Sequence, residues 1–471
     1  MSFFENILIF TVAISACYFL GEVILSRLLA NSTAKKNIAI AVTLGMAVMA
    51  YTVYFLGSFG MMGKIPLSAI FIVILVLSFF LKGRRHLDLS TEKFSLLPED
   101  KFLYLSIMFF SGISLFGALS PPVGTDSLCY HLGIPAKFIM QGKIGFVPYT
   151  MNSLYPFFME MLFTVMEIFG SGVAAKLFHW ICGPLIVFSI LFFAREMSSR
   201  KAGIIAAVLF ISSPGIFNAM TYAYVDVALT MYITLSVCFF VLWDDKERGS
   251  SREADLFLSG VFMGIALSIK YLALYMLIPL FVLLFWRIIR QEENKMKMFF
   301  LFMIPAFFLS FFWYLKSYII LGNPVFPAFA DFFPGVVTFN VSHHMGMGTG
   351  KGLMSFLCLP WNMSVHPQLF GGRGSQTGIQ FFLFFPFIVF SLFSKKKWVR
   401  DISFLSGVYV LIWFFLVQRD RFLYPVLPLL CLLIGYSIAG LLRKCRKKQS
   451  SLRTRILTLL AYSGTCPHSF R

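Results

Sequence analysis

SPPVGTDSLCYHLGIPAKFIMQGKIG, residues 120–145, interrupts an otherwise oily chain, and the other segments take their places around it. It follows an apolar run, 102–119, long enough to approach the far side of a bilayer. It then sets Asp126, Tyr130, His131 and Lys137 within about three helical turns of one another. A carboxylate beside the membrane, followed one turn later by Tyr130 and His131, is costly unless it is used. One use is as a general base taking a proton from a hydroxyl within hydrogen-bond reach. A plainer use is as the cap of the helix that follows.

Working outward, composition decides the class. With 58% hydrophobic and 13% charged residues, there are too few polar side chains to cover a water-soluble surface. The chain therefore reads as all-α and polytopic, with about thirteen spans by length. The formal charge of +19 lies in short Lys and Arg tracts between apolar runs, such as 395–400 and 443–448. That is the pattern of basic loops held on the cytoplasmic side. It lacks the basic groove with interleaved aromatics expected of a nucleic-acid binder, so no nucleic-acid partner is expected.

Orienting each span by these loops puts the N-terminus outside, the C-terminus in the cytoplasm, and residue 126 on the extracytoplasmic side of an inner (plasma) membrane. The first run, 7–29, reads as a span and not as a cleaved leader. Residues 1–101 form extra N-terminal helices and a basic loop, 102–442 the main membrane module, and 443–471 a basic tail. The external loops are 120–172, expected to hold interfacial helices broken at Gly142, and 321–378. The eight cysteines have no metal spacing, and Cys129 and Cys358 are the external pair.

Further polar groups fall on the same outer face. Asp226 sits at an outer turn, with a helix cap as its plainer reading. The apolar run 256–286 would measure about 46 Å as one helix, so it is expected to break near Lys270. Lys316 lies near the outer end of 298–320, and Arg419 and Arg421 follow the span 402–417. Fixed cations of this kind suit a phosphate, and an arginine fork grips two of its oxygens. His343, His344 and His366 read as solvated loop histidines. GMGTGKG, 346–352, fails the phosphate-loop spacing and reads as a flexible lid.

Taken in order, TDSLCYHLGIPAKF with Asp126, TYAYVDVALT with Asp226, GIALSIKYLALY with Lys270, YLKSYIILGNPVFP with Lys316, and QRDRFLYPVLP with Arg419 and Arg421 resemble the GT-C superfamily of integral-membrane glycosyltransferases. The similarity is greatest to bacterial relatives of the protein mannosyltransferases and lipid A aminoarabinose transferases. The resemblance implies transfer of a sugar from a polyprenyl-phosphate donor to an acceptor hydroxyl on a glycan, lipid or protein, with inversion and Asp126 as base. Tyr130, His131, Lys137, Asp226, Lys270, Lys316, Arg419 and Arg421 become the expected substrate-binding set. It also allows a divalent metal ion at Asp126 and Asp226. Two departures stand out: three spans precede the catalytic loop, and Thr125 and Ser127, not a second acid, flank Asp126. A flippase for a lipid-linked sugar would use the same cations without a base, and a surface polysaccharide polymerase or ligase would share the outer loops.

Overall fold

The computed structural model describes residues 2–463, apart from 28, 30, 31, 33, 35, 36, 82–97, 148, 149, 247, 248, 250, 330, 331, 334–346 and 373–376; for 98, 99, 291, 447 and 450–463 it describes the backbone alone. His343, His344 and most of the basic loop 82–101 lie outside the described residues. Within them all regular structure is helical. The helices are α1 (Phe3–Arg27), α2 (Ile38–Ser58), α3 (Lys64–Leu81), α4 (Pro98–Leu119), α5 (Gly133–Gln141), α6 (Phe158–Phe169), α7 (Gly172–Trp180), α8 (Cys182–Met197), α9 (Arg200–Ile211) and α10 (Pro214–Ala219). There follow α11 (Asp226–Trp243), α12 (Ser251–Ile269), α13 (Leu274–Gln291), α14 (Lys295–Leu321), α15 (Leu353–Leu357), α16 (Leu359–Val365), α17 (Ile379–Leu383), α18 (Phe385–Ser391), α19 (Lys397–Phe415) and α20 (Leu427–Ser463).

Ten helical runs among the described residues are long and apolar enough to cross a membrane. This is an integral membrane protein. Large apolar side chains on α3 and α4, among them Phe79, Phe80, Phe102 and Phe116, point outward, as helices facing lipid require. The count falls short of thirteen for physical reasons. The run 202–220 breaks ahead of Pro214 into α9 and α10, and 379–393 breaks ahead of Pro386 into α17 and α18. The first turns of α12 carry Arg252, Glu253 and Asp255. The break expected near Lys270 is present: the residue is extended, with φ −161° and ψ 142°, between α12 and the turn leading to α13.

Every residue of α11 is buried, so this helix is the axis of the bundle. Close backbone approach sets the crossings around it. A Cβ added at Gly260 or Gly264 of α12 would lie 2.3 Å from the Phe302 carbonyl oxygen or 2.8 Å from that of Pro305 on α14. Those two glycines form a GxxxG face, which lets helix backbones meet. The N-terminal helices are built into the same core. Tyr51 and Tyr54 of α2 donate to the carbonyls of Leu309 and Phe312 on α14, and Tyr232 of α11 donates to Thr43.

The segment expected to hold interfacial helices forms a π-helical turn (Ser127–His131), α5, a 3-10 turn (Met151–Leu154) and α6. It breaks at Gly142, whose left-handed φ of 69° ends α5. One part of the expectation is corrected. Nearly all of α6 is buried, because it packs against α2, α5 and α7 and does not lie on the surface.

Candidate active site

Asp126 follows a tight turn at Gly124, whose φ is +97° and where a Cβ would press on the Tyr222 ring at 3.2 Å. It precedes the π-helical turn, yet its side chain makes no capping bond. Its Oδ2 instead accepts from Arg421 Nη1 at 2.6 Å. The same Nη1 lies 4.0 Å from Asp226 Oδ2, and Asp226 Oδ1 accepts from Lys270 Nζ at 2.8 Å. Four residues from distant parts of the sequence thus form one alternating chain of charge: Asp126, Arg421, Asp226, Lys270. Asp226 is the first residue of α11, one place inside the cap position, which Val225 holds.

Each member is positioned by a different element. Asp226 opens α11, and His179 of α7 holds that opening: its Nε2 accepts from the Val227 N–H at 3.2 Å. The Nδ1 must then carry the proton, which it donates to the Tyr222 carbonyl at 2.8 Å. Lys270 reaches Asp226 from the helix break and lies 4.7 Å over the Phe422 ring. Arg421 is borne on a 3-10 turn (Asp420–Val426) that α19 pins from behind. Tyr409 donates to the Phe422 carbonyl at 2.7 Å, and Trp413 Nε1 donates to that of Arg419 at 2.8 Å.

Asp126, Lys270 and Arg421 line a cavity of about 580 Å³ together with Tyr130, His131, Arg419 and the aromatic walls Tyr155, Tyr271 and Tyr275, while Asp226 is buried behind them. Burial works to raise the Asp126 carboxyl, but the Arg421 guanidinium outweighs it and holds the group below the usual carboxylate range. Burial pushes the Tyr130 phenol well above its ordinary value, so it stays neutral. The cavity also holds a residue missed in the sequence. Glu160 of α6 is buried and accepts from His131 Nδ1 at 2.6 Å.

Two expected residues lie elsewhere. Lys137 is exposed on α5 and does not line the cavity. Lys316 is buried and donates to the carbonyls of Ser153 at 2.8 Å and Tyr155 at 3.0 Å. It fastens the 3-10 turn beside the cavity to α14. The loop read as a lid is also tied down: Gln418 accepts from the Thr349 N–H at 2.9 Å and donates to the Gly350 carbonyl at 2.7 Å. Cys129 and Cys358 are both free.

The donor set does not suit a metal ion. Among the described residues no three His, Cys, Asp or Glu side chains converge as ligands. The space between Asp126 and Asp226 is taken by the Arg421 guanidinium, a fixed positive charge that would repel a second cation.

Comparison with known proteins places this geometry. The fold matches that of ArnT from Cupriavidus metallidurans, solved both bound to undecaprenyl phosphate and in the apo state, with a TM-score of 0.53 and 16% identity over 72% of this chain and 60% of that one. Residues 146–322 match the family model of dolichyl-phosphate-mannose-protein mannosyltransferases. The likeness to ArnT is one of fold: this chain shares the helical membrane architecture of that protein. The chain spans about three fifths of the length of that solved protein. An uncharacterized protein of Shigella flexneri is 26% identical over 182 residues, 38% of this chain and 89% of its own length. The family match takes in Asp226, Lys270 and Lys316, whereas Asp126 and Arg421 lie to either side of it.

Proposed function

We propose that this cavity moves a sugar from a polyprenyl-phosphate donor to an acceptor hydroxyl on a glycan, lipid or protein, at the extracytoplasmic face of the inner (plasma) membrane and with inversion. The observation that carries the reading is that Asp126, Arg421 and Lys270 line a cavity with tyrosine sides, linked through the buried Asp226 behind them. It sets a carboxylate beside two cations. The solved relative binds undecaprenyl phosphate, and an apolar cavity of about 290 Å³ lined by Leu423, Leu427, Phe381 and Val410 begins just beyond Arg421. That cavity suits the isoprenoid chain of such a donor.

The acceptor O–H gives its proton to Asp126 as its oxygen bonds to the anomeric carbon from the face opposite the leaving group. The carbon–oxygen bond to phosphate breaks, and its electron pair departs with the polyprenyl phosphate. Charge grows on that phosphate, so Lys270 and Arg421 favour the transition state over the ground state. Arg421 has a second role. At rest it neutralises Asp126 and keeps the carboxylate a weak base; a donor phosphate competes for the guanidinium, and Asp126 becomes more basic once substrate is bound. No step passes through a metal.

The test is transfer of a labelled sugar from its polyprenyl phosphate by the full chain in vesicles. Asp126→Asn, which keeps the shape, is expected to lower the rate by about 10²- to 10⁴-fold, the usual worth of a positioned base. Full activity in that variant would remove Asp126 from the role. Translocation of the intact donor with no new glycosidic bond would favour a flippase.

A further inference from the structure

A second cavity, about 620 Å³, lies at the end of the bundle remote from Asp126, between the starts of α4, α9 and α19 and the outgoing part of α20. Its walls carry Arg200, Lys201, Lys396, Arg443 and Arg446 against one carboxylate, Asp100. That carboxylate already accepts from Lys201 Nζ at 2.5 Å. The distance from the first site follows from α20, which starts just after the turn bearing Arg421. Arg443 comes sixteen residues after Leu427, so about 24 Å of helix separates the two. None of these groups reaches the transfer cavity.

A concavity lined by five cations and one carboxylate carries a net positive charge that draws an anion, whatever other neighbours those cations have. Arginine forks suit the tetrahedral oxygens of phosphate better than a single carboxylate. Arg443 and Arg446 stand one turn apart on α20, so both can reach one ligand. The lining is also amphiphilic. Met197, Ala439 and Leu442 form an apolar side at the ends of membrane-spanning helices, where acyl chains run. A free phosphate would gain nothing from that side.

We propose that this cavity binds the phosphate head of an anionic membrane phospholipid, with its acyl chains along the Ala439–Leu442 side of α20. Basic pockets between transmembrane helices take such heads, with each Lys or Arg strengthening the attraction. The bound head joins α20 to α9 and to the start of α19, and so braces the elements that carry Arg421 at their other end. The site stands whether or not the transfer reaction proposed above is correct.

The experiment titrates the purified full chain in detergent with short-chain phosphatidylglycerol, short-chain phosphatidylcholine and inorganic phosphate, reading bound lipid by native mass spectrometry and the melting temperature. Phosphatidylglycerol is expected to bind saturably and raise the melting temperature, with phosphatidylcholine inert. Arg443 and Arg446 are exposed, so Arg443→Gln with Arg446→Gln should fold normally and weaken phosphatidylglycerol binding about 25-fold, roughly five-fold per charge. Should that variant melt early without ligand, Lys396→Gln, which precedes α19, is expected to show the five-fold loss alone. Equal binding of the two lipids, or unchanged binding in both variants, overturns the proposal. Inorganic phosphate binding as tightly as the lipid assigns the site to a soluble phosphate compound and overturns the lipid reading.

Discussion

Arg421 bonds to Asp126, stands 4.0 Å from Asp226 and lies 5.7 Å over the Tyr224 ring, so removing either carboxylate leaves the two acids and two cations of this chain unbalanced. Asp226 is only 2% exposed, and its partner Lys270 is the easiest to remove. Lys270→Met should cost about 3–5 kcal/mol, the usual effect of orphaning a buried ion. The fall in melting temperature should be partly recovered in Lys270→Met/Asp226→Asn. An unchanged melting temperature in the single variant would show that the pair is not held. Asp126 gives a pH signature. Its carboxyl is depressed in the folded state, so the link to Arg421 stabilises fully above the ordinary carboxylate value of about 3.9 and is lost as pH falls through the lower, folded value. Wild type should therefore lose more melting temperature between about pH 5 and pH 3 than Asp126→Asn does. The acids and cations of this chain were legible in the sequence because a charge in an apolar chain is costly and has few uses. Glu160 escaped because its cost is offset by His131, a contact 29 residues away that no local pattern announces. Lys316 looked the same as Lys270 in the sequence, yet its partners are carbonyls, which every residue carries.

The helices themselves were largely readable, since apolar length is the main requirement for crossing a bilayer. Composition averages over prolines, however, and so 202–220 and 379–393 read as single spans although each is two short helices. The position of α6 was hidden for a related reason. Its charges suggested the interface, whereas Glu160 is hydrogen-bonded to His131 inside the bundle. The α12–α14 crossing is the element most open to test. A side chain at Gly264 would meet the backbone of Pro305 and Ala306, which cannot step aside as a side chain can. Gly264→Leu should force the two helices apart, shifting Lys270 at the end of α12. Yield of folded protein and transfer should fall together, while Gly112→Leu on α4, where a Cβ meets open space, should be tolerated.

At the scale of the whole molecule, the Asp126 cavity lies at one end of the bundle and the basic cavity at the other. Cys129, beside Asp126, and Cys445, between Arg443 and Arg446, are both exposed and mark the two ends. A membrane-impermeant thiol reagent added to intact cells should label Cys129, whereas Cys445 should react only after the membrane is opened. Labelling of both in intact cells would break the proposed orientation. Cys358, also exposed, should follow Cys129.

The route of the polypeptide through the charge chain bears on how the protein matures. Asp126 and Asp226 emerge early in synthesis, Lys270 follows, and Arg421 arrives only with the closing segments. A nascent chain halted after Phe415 would already hold the Lys270–Asp226 bond, while Asp126 waited unmatched at the membrane surface. The charge chain thus closes only once the turn after α19 has been made, with α20 alone still to follow.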